Sequence, residues 1–175
     1  TLGTMNGRGV VKAPLPYNAQ FTPVIDITDP VGGTLIRIET DHVHGGSDNC
    51  IRAEYITRKG RQQYESLGWM NGDTLYIRYP QESSLTVHSV AFRETGYNAE
   101  FKGKFHCSDG FINRFREKAL RTLYVNMRDT YFDCPDRERA QWWGDVTILM
   151  GESFYQLSPE ANMLTGFDPI NVLLS

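Results

Sequence analysis

Gly103-Lys104-Phe105-His106-Cys107-Ser108-Asp109 marks the point where the hydrophobic period of this chain changes. After it, Phe111, Ile112, Phe115, Ala119, Leu120, Leu123 and Tyr124 recur at helical spacing, with Asn113, Arg114, Glu117, Lys118 and Arg121 on the other face. Ser108 or Asp109 can cap this helix, because a short side-chain oxygen accepts an N–H that the first turn leaves unpaired. Before the change the pattern is that of strands. Leu75, Ile77 and Tyr79 alternate with Thr74, Tyr76 and Arg78, and Asn71-Gly72 just ahead of them reads as a turn. Thr22 to Thr28 and Thr34 to Glu39 are β-branched segments bracketed by Asp29-Pro30 and Gly32-Gly33, and Ile51 to Thr57, Leu85 to Phe92 and Tyr97 to Phe105 add further candidates. About six short strands at such spacing suit an antiparallel β-sandwich over residues 21–106. Residues 1–20 hold Gly3, Gly7, Gly9, Pro14 and Pro16 and read as an irregular lead-in, while residues 107–175 are the helical part.

At 175 residues and 40% hydrophobic content, the chain can bury one solid core, or a domain plus part of another. A net charge of −3 argues against a nucleic-acid binder, which would carry a basic face. No apolar run approaches the roughly 18 residues of a membrane span, and no basic segment followed by an apolar one marks a signal peptide. Cys50, Cys107 and Cys134 are odd in number and form no C-x-x-C pair, so neither a disulfide framework nor a redox or zinc motif is visible.

Downstream, Asp133-Cys134-Pro135-Asp136-Arg137-Glu138-Arg139 is followed at once by Trp142-Trp143-Gly144-Asp145. Carboxylates and guanidinium groups give directional hydrogen bonds to hydroxyls, indole faces cover the apolar side of a sugar, and a carboxyl beside an indole can stay protonated near neutral pH. The run therefore points to sugar chemistry. Pro135 disfavours helical geometry at Cys134, which places Asp133 in extended backbone and Glu138 near the start of a helix over roughly Ala140 to Leu157. Ser158-Pro159-Glu160 can open a third short helix that Gly166 ends. Trp142 and Trp143 are adjacent on the expected helix and point about 100° apart, so one is expected to face a ligand and the other the core.

The signature Asp-Cys-Pro-x-Arg-Glu-x followed by Trp and Gly-Asp resembles that of the bacterial α-L-rhamnosidases. The likeness extends upstream through Gly103–Asp109 and the helix from Phe111 to Tyr124. The resemblance implies an inverting glycoside hydrolase whose catalytic domain is an (α/α)6 toroid, so the expected fold is a β-sandwich followed by the first helices of such a toroid, truncated. It implies Glu138 as the general acid, with Asp133, Arg137, Trp142 and Asp145 holding the sugar ring. It further implies that a longer parent releases terminal non-reducing α-L-rhamnose from oligosaccharides or glycosides with inversion, in a secreted or periplasmic setting, without metal or organic cofactor. The chain departs from the family at Asp136, where Gln is usual, and at Gln141-Trp142-Trp143, where Gly-Trp-Thr is common; both bear on sugar specificity. Helices averaging about 11 residues plus connections make a whole toroid too large for the residues after Cys107. The family's general base has no counterpart, so the chain alone is expected to be inactive and to self-associate through helices left open.

The same residues have ordinary readings. Glu138 can be a surface acid paired with Arg137 or Arg139, Asp133 a turn cap, and Asp145 a partner of Arg139. On that footing the chain would be a non-catalytic carbohydrate-binding or scaffold module; a related toroid glycosidase with another sugar specificity is the second alternative. Cys134 reads as a small hydrophobe holding the loop. Asp41-His42-Val43-His44, with Asp48 and Cys50 nearby, offers H-x-H metal-ligand spacing, but Gly45-Gly46-Ser47 marks a turn and favours a solvated loop.

Overall fold

From Val11 to Asp29 nearly every odd-numbered residue is buried, and that alternation over 20 residues builds the first half of the molecule. The computed structural model of the chain describes residues 1–3, 5–42, 51–98 and 100–158, and the chain divides between Thr95 and Gly96 into two units. The first unit comprises β1 (Met5–Gly7), β2 (Val10–Asp29), β3 (Leu35–Thr40), β4 (Ile51–Ile56), β5 (Gly60–Glu65), β6 (Met70–Arg78) and β7 (Thr86–Glu94). Every pairing is antiparallel, and hydrogen bonds join all seven strands into one sheet in the order β1-β2-β6-β3-β4, with β5 and β7 both pairing with β2.

This corrects two expectations. Instead of an irregular lead-in, the chain is already strand from Met5, and instead of two separately bonded sheets there is one. β2 is the reason. Its first half pairs with β1 and β6, its second half with β5 and β7, and the register against β6 shifts between Pro14 and Ala19. Pro16 falls in that interval, where its missing N–H interrupts no ladder bond. Gly9, at φ 71°, closes the β1–β2 hairpin, and a Cβ there would lie 2.7 Å from the Tyr79 carbonyl. Asn71-Gly72, expected as a turn, lies inside β6. Asn71 is fully buried and donates to Asn18 Oδ1 at 2.8 Å and to the Ala19 carbonyl at 3.0 Å, while a Cβ on Gly72 would meet Asp41 Oδ1 at 2.8 Å. The pair is there for close strand approach. Val11, Ala13, Phe21, Ile25, Ile27, Ile36, Ile38, Leu75, Ile77 and Val90 supply most of the core.

The second unit has α1 (Gly110–Val125) and α2 (Trp143–Gln156). Asp109 caps α1 as expected, its carboxylate accepting from Phe111 N at 2.7 Å. The expected strand over Tyr97–Phe105 is reduced to a single bridge between Phe101 and Leu157. There Lys102 N and Gly103 N both donate to the Gln156 carbonyl, at 2.8 and 3.1 Å. A Cβ on Gly103 would lie 2.1 Å from the Tyr155 carbonyl, so the close approach requires glycine. Arg116 secures the junction by donating to the Gly103 carbonyl at 2.5 Å and to Gln156 Oε1 at 3.0 Å. Leu123, Met127, Tyr131, Val146 and Leu157 form the core, in which Tyr131 donates to Ser153 Oγ at 2.8 Å. Of the apolar face of α1, only its C-terminal end is buried; Phe111 and Phe115 stack on each other in solvent. Beyond Ser158 the expected third helix, to Gly166, lies outside the described residues, as do Val43, His44, Asp48 and Cys50. No helix among the described residues is long and apolar enough to cross a membrane.

The β2–β3 turn hangs on Asp29, a buried carboxylate. It accepts from Val31 N and Gly32 N, both at 2.9 Å, and from the Thr57 hydroxyl at 2.6 Å. The Gly32 N–H, then the Thr34 and Thr57 side chains, hold its pKa well below the ordinary carboxylate range. A depressed folded-state value means that the contribution is complete above the unfolded value, about pH 4, and is lost as pH falls through the folded value. Asp29→Asn is therefore expected to lower the thermal midpoint at pH 7, and to flatten its fall as the solution is acidified below about pH 4. Melting curves of both proteins at several pH values check this; parallel acid profiles would show that the turn does not depend on the charge.

Candidate active site

The connection between α1 and α2 has to pair its backbone polar groups without regular structure. It does so against itself. Phe132 N donates to the Asn126 carbonyl at 2.7 Å, then Asp133 N donates to the Ala140 carbonyl and Ala140 N to Asp133 Oδ1, both at 2.9 Å. Residues 133–140 thus form a loop pinched at Asp133 and Ala140. One carboxylate oxygen of Asp133 is committed to that closure, which is the turn-capping role.

Inside the loop, Pro135 to Glu138 form a turn. Cys134 Sγ accepts from Arg137 N at 3.3 Å and from Glu138 N at 3.5 Å, as an N-cap oxygen would. Arg139 then adopts φ 52°, a left-handed conformation that costs a non-glycine residue about 1–2 kcal/mol. Its Nε donates to the Pro135 carbonyl at 2.9 Å and straps the turn. The left-handed step stops the turn from propagating, so Ala140 to Trp142 are not helical and α2 begins at Trp143 rather than at Ala140. Glu138 accordingly sits in a turn, not at a helix start.

Trp142 caps α2 with extended backbone, and its indole Nε1–H donates to Glu138 Oε2. The other carboxylate oxygen lies 3.6 Å from Arg137 Nε. Glu138 is thus held between an indole N–H and a guanidinium, with 38% of its side chain exposed. The indole meets it by its polar edge, where the sequence suggested an apolar cover. Trp142 and Trp143 are 55% and 50% exposed, so neither is the core residue expected of one of them; the buried cluster reaches only as far as Val146. Asp145 lies exposed in the first turn of α2, where its charge faces the positive helix end, and has no hydrogen bond or ion pair among the described residues. Of the five candidates, Arg137, Glu138 and Trp142 touch, Asp133 turns to the loop, and Asp145 stands apart.

Two contributors were missed. Cys134 is a hydrogen-bond acceptor for the turn rather than simply a hydrophobe, and the signal is its place before Pro135, with the N–H groups three and four residues on left unpaired by a short turn. Arg139 at positive φ has no composition signal. Elsewhere, Asp41, His42 and Asp73 bring one ligand atom each within 4.8 Å of one another. His42 Nδ1 contacts Asn71 Oδ1 at 3.0 Å, and Nε2 lies 3.4 Å from Asp73 Oδ2. Asp73, remote in sequence, is a member of this group that the H-x-H reading did not include, while His44, Asp48 and Cys50 lie outside the described residues.

Removing the pinch should open the loop. Asp133→Ala deprives Ala140 N–H of its acceptor, a loss of about 1–3 kcal/mol, and is expected to speed amide exchange there by about tenfold or more. Asp133→Asn keeps an acceptor and should preserve most of the protection. Hydrogen-exchange rates at Ala140 and Glu138 decide it, and unchanged protection in the alanine variant would show that the loop is held elsewhere.

Residues 100–165, which contain this loop, match the family model described as bacterial alpha-L-rhamnosidase 6 hairpin glycosidase domain. No curated protein matches the chain. Three solved structures share its fold. A GH78 family rhamnosidase of Bacillus sp. GL1 is 22% identical with a TM-score of 0.75, over 92% of this chain and 18% of that one. An alpha-L-rhamnosidase from Dictyoglumus thermophilum is 19% identical with a TM-score of 0.72, over 93% of this chain and 20% of that one. A rhamnosidase from Klebsiella oxytoca, solved with rhamnose bound, is 11% identical with a TM-score of 0.68, over 91% of this chain and 35% of that one. The chain thus spans about a fifth of the length of the first two. The resemblance to the bacterial α-L-rhamnosidases accordingly stands on sequence over residues 100–165 and on fold over most of the chain.

Proposed function

We propose that this chain is the sheet-to-toroid junction of an inverting α-L-rhamnosidase, and that Glu138 is its general acid. The observation that carries the reading is the contact set around Glu138: a carboxyl gripped by Trp142 and Arg137, partly exposed, on a loop pinned at both ends, within the segment that matches the family model. A proton donor must reach the glycosidic oxygen in a fixed direction, and a carboxyl with one oxygen fixed by the Trp142 N–H and the other left for the substrate is oriented before substrate arrives. In this reading Glu138 protonates the leaving oxygen of a terminal α-L-rhamnoside. A carboxylate from further helices of the toroid activates water on the opposite face, about 6.5–9.5 Å away as in inverting pairs. Arg137, Trp142 and Asp145 would bind the ring, with Asp145 the residue still open to a hydroxyl. Asp133 acts on the loop at least as much as on the sugar. The exposed indoles would equally serve a non-catalytic sugar-binding module, which needs no acid.

Leaving-group dependence separates the two. In a protein that carries this segment with a complete toroid, Glu138→Gln is expected to lower turnover by about 10² to 10⁴-fold on substrates with poor leaving groups and much less on activated aryl rhamnosides. Asp145→Asn should weaken both alike. Unchanged turnover on the poor substrate removes Glu138 from the mechanism and leaves the binding-module reading. The isolated chain should hydrolyse an aryl α-L-rhamnoside far below the roughly 1–10³ per second of ordinary enzymes.

We also propose that the exposed apolar side chains of the second unit drive self-association. Phe111, Phe115, Trp143, Ile148, Phe154 and Tyr155 are each at least 50% exposed, more than isolated surface apolar residues require. Light scattering of the chain should show concentration-dependent mass above the monomer, and Phe115→Ser with Phe154→Ser should reduce it; a strictly monomeric wild-type chain overturns the proposal.

A further inference from the structure

The outer face of the sheet carries an arrangement that the glycosidase reading does not use. Arg37 in β3 and Arg78 in β6 are direct cross-strand partners, and Arg37 is in turn the partner of Glu54 in β4. Like charges placed directly opposite destabilise a sheet unless something compensates them. Here each guanidinium is held by its Nε alone. Arg37 Nε donates to Glu54 Oε1 at 3.0 Å, and Arg78 Nε to Glu39 Oε2 at 2.5 Å, while the Arg78 guanidinium lies 5.6 Å from the centre of the Tyr76 ring. Both arginine side chains remain about half exposed, and among the described residues their terminal amino groups make no hydrogen bond. Both guanidinium groups therefore keep their terminal amino groups open among the described residues.

They do so over a cavity of about 340 Å³ lined by Leu35, Arg37, Arg78, Tyr79 and Pro80. That volume is at the lower end of small-ligand sites. Leu35 and Pro80 are exposed and give an apolar floor beside the two cations, while Tyr79, half-buried, packs against the core. Guanidinium forks match a carboxylate bidentately, and an apolar floor suits the C–H face of a pyranose. We propose that this site binds an acidic sugar, a uronate whose carboxylate bridges Arg37 and Arg78 and whose ring lies on Pro80 and Leu35. Glu39 and Glu54 occupy the Nε edges and keep the forks aimed. The anion half of the proposal stands on geometry alone; the choice of a sugar over another carboxylate rests on the glycosidase reading.

The test is an amide-shift titration of the whole 175-residue chain with glucuronate, with glucose and inorganic phosphate in parallel. Saturable shifts confined to residues 35–37 and 78–80 are expected with glucuronate, weaker at high salt. Arg78→Gln and Arg37→Gln should each weaken them by about tenfold or more. Arg78→Lys keeps the charge without the fork and should recover only part of the affinity. Equal binding of glucose overturns the role of the arginines, and equal binding of phosphate overturns the choice of a sugar. Full affinity in the lysine variant overturns bidentate recognition. No saturable shift with a folded spectrum overturns the site altogether. Glu138→Gln should leave this titration unchanged, so the site and the general-acid reading can fail separately.

Discussion

A strand that runs for 20 residues has to find partners for its whole length, and β2 meets that demand by serving two sets of strands in succession. Its alternation keeps Val11, Ala13, Leu15, Ala19, Phe21, Ile25 and Ile27 on one buried face across the register shift at Pro14 to Ala19. Had that shift changed the parity of the strand, half of these side chains would have turned to solvent, since strand period is two. Gln20 is buried alongside them. The rest of the unit is arranged around this strand: Asp29 ends it with a charged turn, Asn71 fastens β6 to it through the Ala19 carbonyl, and β5, mostly polar apart from Tyr64, is recruited as its neighbour by backbone hydrogen bonds.

The second unit has less apolar material and relies on specific polar ties. Gly103 lets the 100–103 segment lie against the end of α2, Arg116 bonds across that junction, and Tyr131 donates to Ser153 in the core. The candidate site is built by the same means. Asp133 and Ala140 close the loop, Cys134 turns it, Arg139 redirects it, and Trp142 caps α2 while reaching back to Glu138. The ties around Glu138 are therefore local in sequence, spanning Asp133 to Trp142. That locality is why a short signature can carry so much of a family resemblance.

Legibility followed the range of the interactions. The capped helix after Asp109 was readable because capping and helical periodicity involve residues within a few positions. The turn at Asp29 to Gly33 was readable for the same reason. β5 was not, because Gly60–Glu65 has no apolar alternation and owes its state to β2. The lead-in reads as irregular because Gly and Pro commonly break regular structure, yet β2 accommodates its prolines and Gly9 makes the hairpin turn. Asn71-Gly72 reads as a turn because a turn-forming pair and a close-packed strand pair look alike until the neighbouring chain is known.

By itself, then, the sequence determined the order of mostly strand followed by helix, the start of the first helix just after Asp109, and the residues of the Asp133–Asp145 run together with the chemistry those types can perform. Tertiary structure decided which of them meet. It paired Glu138 with the indole N–H and with Arg137, committed an Asp133 oxygen to the loop, left Asp145 open and both tryptophans exposed, and set Arg37 directly across from Arg78. The physical reason is that a residue's type and local spacing limit the contacts it can make, whereas register, loop closure and burial select among them, and those depend on partners distant along the chain.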